Sequence, residues 1–419
     1  MSEAAGREGE APHARRSGAL RVLVAHNVPR APTGGMSRIM TFIHDRLVEG
    51  GGFEVEYFCA DDVAPRWQGA AARFAFPLLV LRRARLAARQ GRPFDVVNVH
   101  EPASAAVAAL KGWAGAPRVV VTSHGVERRA WELALDEAQL GRAGPAARTR
   151  VIHPLTSLWQ SGVGLRWADH VFCLNSEDED FLRRRRMSVG GSGRVTRIYP
   201  AASEVFRGAG AGRDYARHPR QLLFAATWRK NKGVEDLVPA FAALAARHTQ
   251  LELIVLGAGL RDEAVLGAFP ADVRARVRCE SAADDAETAR RFAAADLFVL
   301  PSLFEGTPLT LMEAMAAGLP VVTTATCGMR DVVRDGETGL LVELRSPGHI
   351  VEAVERLLGD AGLRSRLGRA ARDEAARKYT WERAAQPVRE AYEELCARER
   401  PLPRPRRASL NGRKVVTRE

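Results

Sequence analysis

The sequence has no apolar run near the roughly 18 residues that a bilayer-spanning helix needs, which argues against a helical integral membrane protein. Its amino end, MSEAAGREGEAPHARRSG, lacks the apolar centre of a signal peptide, so a cytoplasmic location is expected. Cysteine is sparse. Cys59, Cys173, Cys279, Cys327 and Cys396 are scattered without metal-ligand spacing, so they read as buried, reduced thiols rather than a disulfide framework or a zinc module. Lysine is scarce, and the net charge of +12 comes mostly from arginine. That balance suits anionic substrates, a lipid surface or nucleic acid, and equally a plain bias toward Arg and Ala. No basic patch is interleaved with aromatics, which speaks against nucleic-acid binding.

What is present is alternation. With 419 residues, 46% of them hydrophobic, the chain is too long for one ordinary core. Apolar strand-like runs at 20–26, 53–58, 94–100, 118–124, 170–175 and 194–200 are mostly separated by helical stretches. A polar, Gly-rich patch follows at 206–220, and the pattern restarts at 221–226, 250–257, 276–281, 295–302, 320–324 and 339–343. Alternating β and α segments argue for parallel sheets with right-handed crossovers. The expected organisation is α/β: two Rossmann-like domains, 19–205 and 220–379, facing a cleft, joined by a linker at 206–219. Helices at about 347–359, 362–378 and 380–397 close the chain, the last (380–399) packing back toward the first domain. The ends, 1–18 and 400–419, are polar, basic or Pro-interrupted and are expected to be disordered.

One stretch raises a chemical question. FEGTPLTLMEAMAAGLP (304–320) places Glu305 in a strand-to-helix loop and Glu313 within the helix that follows. Thr307 is suited to cap that helix, Pro308 to open it, and Gly318 with Pro320 to end it. The loop then lies at the carboxyl edge of a sheet, where open α/β folds bind ligands. A helix amino end favours an anion such as phosphate, and flanking carboxylates accept hydrogen bonds from hydroxyls. Phosphate plus many hydroxyls describes a nucleotide sugar; a solvent-facing pair of glutamates with nothing bound fits as well.

Other stretches add to the question. In APTGGMSRIM (31–40), Gly34 and Gly35 end a loop that enters a helix, allowing close backbone approach of a phosphate, although the spacing is neither G-x-G-x-x-G nor a P-loop. His124 stands at a strand end and can bond a hydroxyl or move a proton. Arg229, Lys230 and Lys232 precede a helix and can hold a diphosphate. VLGAGL (255–260) is a tight turn open to a base or ribose. The acidic runs at 177–180 and 284–285 read as helix starts rather than a metal-binding Asp-x-Asp. Residues 66–92 mix arginines with apolar residues, suiting either a core-facing helix or contact with anionic lipid.

Taken together, these residues resemble the retaining glycosyltransferases of family 4, which have the two-domain GT-B fold. The resemblance rests on Glu305 and Glu313 with their seven-residue spacer, the following AMAAGLPVV, DGETGLLV (335–342), Lys232-Gly233, Gly34-Gly35 and YTWERAA near the end. It covers nearly everything between the tails and is most specific in the second half. It implies that Glu305 holds the donor sugar and Glu313 the ribose, that the loop amides at Gly306, Thr307 and Leu309 meet sugar hydroxyls and phosphate, and that Lys232 binds the diphosphate. The Gly-Gly loop and strand-end histidine of the family correspond to Gly34, Gly35 and His124, so Glu305, Lys232 and His124 form the implied catalytic set. Three positions depart from the pattern: Thr227 stands where the family has Arg, passing a basic role to Arg229; Pro308 replaces a Gly; and Ala201-Ala202 replaces an Asn-Gly.

The implied partners are a nucleotide-diphosphate sugar and a glycan, lipid-linked or small-molecule hydroxyl acceptor, with peripheral contact at the inner face of an anionic membrane left open. No cofactor or metal is expected. A nucleotide-sugar epimerase and a non-catalytic nucleotide-sugar-binding protein remain as alternatives; the first needs acid/base residues that are not apparent here.

Overall fold

The computed structural model describes residues 18–30, 34–64, 72–106, 116–142, 144–185 and 195–398. The expected tails, residues 31–33 of the Gly-Gly loop and 66–71 of the basic stretch lie outside the described residues. The first unit runs β1 (Leu20–Ala25), α1 (Gly35–Glu49), β2 (Phe53–Phe58), α2 (Ala72–Arg89), β3 (Val96–His100) and β4 (Arg118–Thr122). It continues through α3 (Glu127–Gln139), α4 (Ala147–His153), α5 (Trp159–Trp167), β5 (His170–Cys173), α6 (Ser176–Arg184) and β6 (Val195–Arg197). The second runs α7 (Glu204–Ala209), β7 (Gln221–Ala225), α8 (Val234–Arg247), β8 (Glu252–Leu256), α9 (Asp262–Leu266), β9 (Val277–Glu280) and α10 (Asp285–Ala294). It ends with β10 (Leu297–Leu300), α11 (Leu309–Ala316), β11 (Val321–Thr324), α12 (Cys327–Val332), β12 (Leu340–Val342), α13 (Pro347–Gly359) and α14 (Ala361–Lys378). A last helix, α15 (Trp381–Ala397), closes the described chain.

Each unit is a six-stranded sheet, ordered β2-β1-β3-β4-β5-β6 and β12-β11-β10-β7-β8-β9, with parallel pairing throughout. The central strands are buried and largely apolar because helices cover both faces: Val96, Val97 and Val99 are fully buried, as are all four residues of β10. The order reverses between β1 and β3, and again between β7 and β10. At such a switch point neighbouring loops diverge and leave a crevice at the carboxyl ends of the strands. The loops after β1, β7 and β10, which carry or lead into the expected site residues other than His124, all leave from these two points.

Residues 206–219, expected as a linker, have packing of their own. Phe206 is fully buried in the core of the second unit. Tyr215 donates to the Gly318 carbonyl at 2.8 Å, and Arg213 to the Phe292 carbonyl at 2.8 Å.

α15 starts at Thr380, whose side chain accepts the Arg383 amide. It buries positions 381, 384, 385, 388, 391, 392 and 395, a helical-period stripe that shares a core with Ile39, Ile43 and Leu47 of α1. Buried Tyr392 links it to three elements. Its hydroxyl lies 2.9 Å from His44 Nε2 and accepts from Asn98 Nδ2 at 2.8 Å, while Thr122 donates to Asn98 Oδ1 at 2.9 Å. The last helix therefore returns to the first sheet. In α2, the described part of the basic stretch, Phe76, Val80, Leu81 and Ala84 are buried, while Phe74 and Leu78 are exposed.

Candidate active site in the interdomain cleft

Two loops of the second unit meet at its switch point. After β7 the chain makes a 3-10 turn, Lys230–Lys232, that ends on Gly233 in the left-handed region at φ 72°. A Cβ at Gly233 would sit 1.8 Å from the Pro301 carbonyl oxygen, so only glycine lets the loops lie this close. The Leu303 amide donates to the Asn231 carbonyl at 2.8 Å. That contact fixes the loop after β10, and there Lys232 Nζ pairs with Glu305 Oε1. Ser302 Oγ also donates to Glu305 Oε1, at 3.0 Å.

The helix after this loop begins one residue later than the sequence suggested. Pro308 is its N-cap rather than its first residue, and no side chain caps it. Thr307 does not act as the cap; its hydroxyl donates to the Leu174 carbonyl of the first unit. A buried hydroxyl takes the acceptor within reach, and here that acceptor comes from across the domain boundary.

Glu313 is completely buried. Burial pushes its carboxyl up to about 7, although Arg38 pulls the other way. Arg38 Nη2, from α1 of the opposite unit, lies 2.6 Å from Glu313 Oε1 and 3.0 Å from Asp285. The desolvation of a fully enclosed carboxylate outweighs even this close pairing, a regular outcome for ion pairs in low dielectric. Asp285 is in turn held by the Ser203 hydroxyl at 2.9 Å.

The facing wall comes from the first unit. Gly34 precedes α1 and Gly35 opens it; an added Cβ at Gly35 meets nothing within 4 Å, so this helix end faces open space. His124 follows β4, and its Nε2 lies 2.7 Å from His100 Nδ1. Burial, with a smaller push from His26, drives His124 down to about 3 and keeps it neutral near neutral pH. The strand end also sits against the Glu305 loop: a Cβ at Gly306 would be 2.5 Å from the His124 carbonyl oxygen, and Gly125 (φ 133°) lies under Phe304. Asn175 reaches across to donate to the Glu305 and Gly306 carbonyls at 3.2 and 3.3 Å.

These parts enclose a cavity of about 450 Å³, the size of a small-molecule site. Gly34, Gly35, His124, Lys232, Glu305, Gly306, Thr307, Leu309 and Glu313 all line it. Arg229 does not: it is exposed and outside the lining residues. The cation brought in beside Glu313 is Arg38, a residue that the sequence reading missed. Its signal was helical spacing, since Gly35, Arg38 and Ile39 share one face of α1 and all line the cleft. His100 and Asp285 were missed too, because their partners lie far away in sequence. The acidic runs are helix starts: Asn175 caps α6, whose first turn holds Glu177, Asp178 and Glu179, and Asp284 caps α10. Asp178 is paired with Arg129 at 2.6 Å. Two helix amino ends, α1 and α11, and one lysine thus converge on a space bordered by carboxylates, a geometry suited to a ligand with both phosphate and hydroxyl groups.

Known proteins share this architecture. The family model described as Glycosyl transferases group 1 matches residues 215–374, and Glycosyltransferase Family 4 matches residues 33–202. A phosphatidyl-myo-inositol mannosyltransferase of Mycobacterium leprae is 27% identical over 332 residues, 79% of this chain and 81% of that one. A D-inositol 3-phosphate glycosyltransferase of Corynebacterium jeikeium is 32% identical over 217 residues, 48% of this chain and 52% of that one. Sucrose-phosphate synthase from Thermosynechococcus elongatus has a similar structure, with a TM-score of 0.69 at 21% identity over 90% of this chain and 99% of that one. The likeness in structure concerns the fold, and the two family models account in turn for the two units that face the cleft. The chain belongs to glycosyltransferase family 4 and has the GT-B fold.

Proposed function

We propose that the protein is a retaining, metal-independent hexosyltransferase of the cytoplasm, with a nucleotide-diphosphate sugar as donor and a hydroxyl compound as acceptor. The observation that carries this reading is the Lys232–Glu305 pair at the switch point, facing His124 and the Gly34–Gly35 helix end across the cleft. The diphosphate would lie against Lys232 and the two helix ends, the sugar beside Glu305 and His124, and the ribose against Glu313. As the bond from the anomeric carbon to the diphosphate breaks, negative charge grows on the leaving oxygen. Lys232 stabilises that charge without a metal. The acceptor oxygen bonds to the anomeric carbon from the same face, and its proton passes to the leaving phosphate.

The names of the two relatives, one a mannosyltransferase for a phosphatidylinositol and one a glycosyltransferase for an inositol phosphate, support a polyol or lipid-linked hydroxyl among the acceptors to test. Five cysteines with no disulfide between them suit a reducing compartment.

The test is a thermal-shift screen against UDP-, GDP- and ADP-sugars, followed by transfer assays with inositol phosphate, phosphatidylinositol and glycan acceptors. Lys232→Ala is expected to lose donor affinity and rate by about 1.5–3 kcal/mol, the contribution of a charge-assisted contact. Unchanged binding and turnover in that variant would overturn the diphosphate role. Activity is expected to survive EDTA; loss that Mg²⁺ or Mn²⁺ restores would overturn metal independence. Inversion at the anomeric carbon of the product would overturn retention.

A further inference from the structure

Residues 138–168 contain no aspartate or glutamate, and neither do residues 63–94. The first stretch builds α4, a π-helical turn at Pro154–Leu158, and α5; the second includes α2. Both cover the same face of the first sheet. α2 packs on Val97, Val99 and Val119, and α5 packs through Leu165 on Val121 and Val171. Val119 and Val121 point the same way because strand side chains alternate.

The outer side of this layer is apolar and cationic. α4 buries none of its residues, and every position from Ala146 to Ile152 is exposed. Val151, Leu155 and Trp159 are 64%, 71% and 59% exposed. They stand four positions apart, which brings them onto one side of the helix. Arg148 and Arg150 are exposed beside them. Arg150 Nε donates to the Pro145 carbonyl at 3.1 Å, and no described carboxylate is paired with either arginine. The projecting helix is anchored next to the cleft. His153 stacks on Trp131 at 4.6 Å and lies 3.2 Å from Glu127, the first residue of α3, which starts three residues after His124.

We infer that this face seats the protein on an anionic lipid bilayer, with Val151, Leu155 and Trp159 among the headgroups and Arg148 and Arg150 on lipid phosphates. A second copy is the poorer occupant. A two-fold contact would set this patch against itself, bringing arginines together in a stretch that has no acid to pair with them. A bilayer surface offers both an apolar layer and negative charge, and tryptophan favours that boundary. The inference needs no particular donor or acceptor, so it stands or falls separately from the proposed transfer reaction.

The experiment is co-sedimentation of the full chain with vesicles of phosphatidylcholine alone and of equal parts phosphatidylcholine and phosphatidylglycerol. Binding is expected to the mixed vesicles only, and to fade in about 0.5 M NaCl as charge is screened. Arg148→Gln with Arg150→Gln is expected to weaken binding about 30-fold, from about 1 kcal/mol per basic residue at such a surface. Leu155→Glu with Trp159→Ser is expected to abolish it while leaving the melting temperature unchanged. Equal binding to both vesicles, no binding to either, or full binding by the Leu155→Glu, Trp159→Ser variant would overturn the inference. So would a dimer in solution that the same variant splits, which would make the face a contact between copies.

Discussion

Glu305 and Glu313 carry the same group in different surroundings. Glu305 is tied to Lys232 and Ser302 at the edge of the cleft, beside the proposed sugar position. A carboxylate there gains interaction as positive charge builds on the anomeric carbon, so its contribution belongs to the transition state. Glu305→Gln is expected to keep the fold and most nucleotide affinity and to lose most of kcat. Glu313 is enclosed and faces Arg38, and its proposed role is to bind ribose in ground and transition state alike. Glu313→Gln is expected to raise the donor KM more than it lowers kcat. Steady-state kinetics separates the two, and a KM effect alone in both variants would make the pair a binding clamp. Because Glu313 titrates at about 7, the ribose-binding carboxylate is lost on acidification, and donor affinity is expected to fall as pH drops through 7. Glu313→Gln should flatten that profile; a wild-type affinity independent of pH from 6 to 8 would show that the ionised form is not the one that binds.

At the scale of elements, much was legible. Every strand was readable within a few residues, because a parallel strand covered on both faces is a continuous apolar run bounded by turn residues. The helix after Glu305 was readable too, since Gly318 and Pro320 can only end it. What was not legible depends on distant chain. Thr307 is a good cap by composition, yet its hydroxyl goes to Leu174, which no local rule could supply. Arg229, expected to take over the basic role missing at Thr227, is exposed and lies outside the cavity lining, whereas Arg38 from α1 of the other unit stands beside Glu313, a pairing that no local rule supplies. Glycines in the loops show the same contrast. Gly233 combines φ 72° with a Pro301 oxygen where its Cβ would stand, so Gly233→Ala must move backbone. It is expected to lower the melting temperature and weaken donor binding together, through the displaced Lys232. Gly35 faces open space, so Gly35→Ala is expected to melt like the wild type and lose only affinity for the nucleotide. Melting curves with and without the nucleotide check both; a Gly35→Ala variant that binds normally would mean that no phosphate approaches this helix end.

At the scale of the whole molecule, buried titratable groups decide how the fold responds to acid. Burial drives His26 and His44 down to about 4, His124 to about 3, and His100 well below its usual value. Unfolded histidine titrates near 6.5. Their contribution is therefore complete above pH 6.5 and is lost as pH falls toward 4, because only the unfolded chain takes up these protons. Burial acts in the opposite direction on carboxyls. Glu101 and Glu313 are raised to about 7 from 4.5, and Asp178 is raised as well. The folded state accepts those protons first, so between pH 7 and 4.5 they add stability as pH falls. Four histidines against two glutamates, with Asp178 adding at most one proton on the carboxyl side, leave the unfolded state binding at least one more proton. The net effect is a loss of about 1–3 kcal/mol per pH unit between 6.5 and 4.5, at about 1.4 kcal/mol per proton and unit. The melting temperature is expected to decline gently over that range. Glu101→Gln with Glu313→Gln removes two of the offsetting carboxyls, so the decline should become roughly two to three times steeper even though the double variant carries less buried charge. A wild-type curve that stays flat or rises to pH 4.5 would mean that the histidines take up protons within the fold and that the cleft wall around His124 is charged in acid; a double variant with an unchanged slope would mean that Glu101 and Glu313 stay ionised in the folded state over that range.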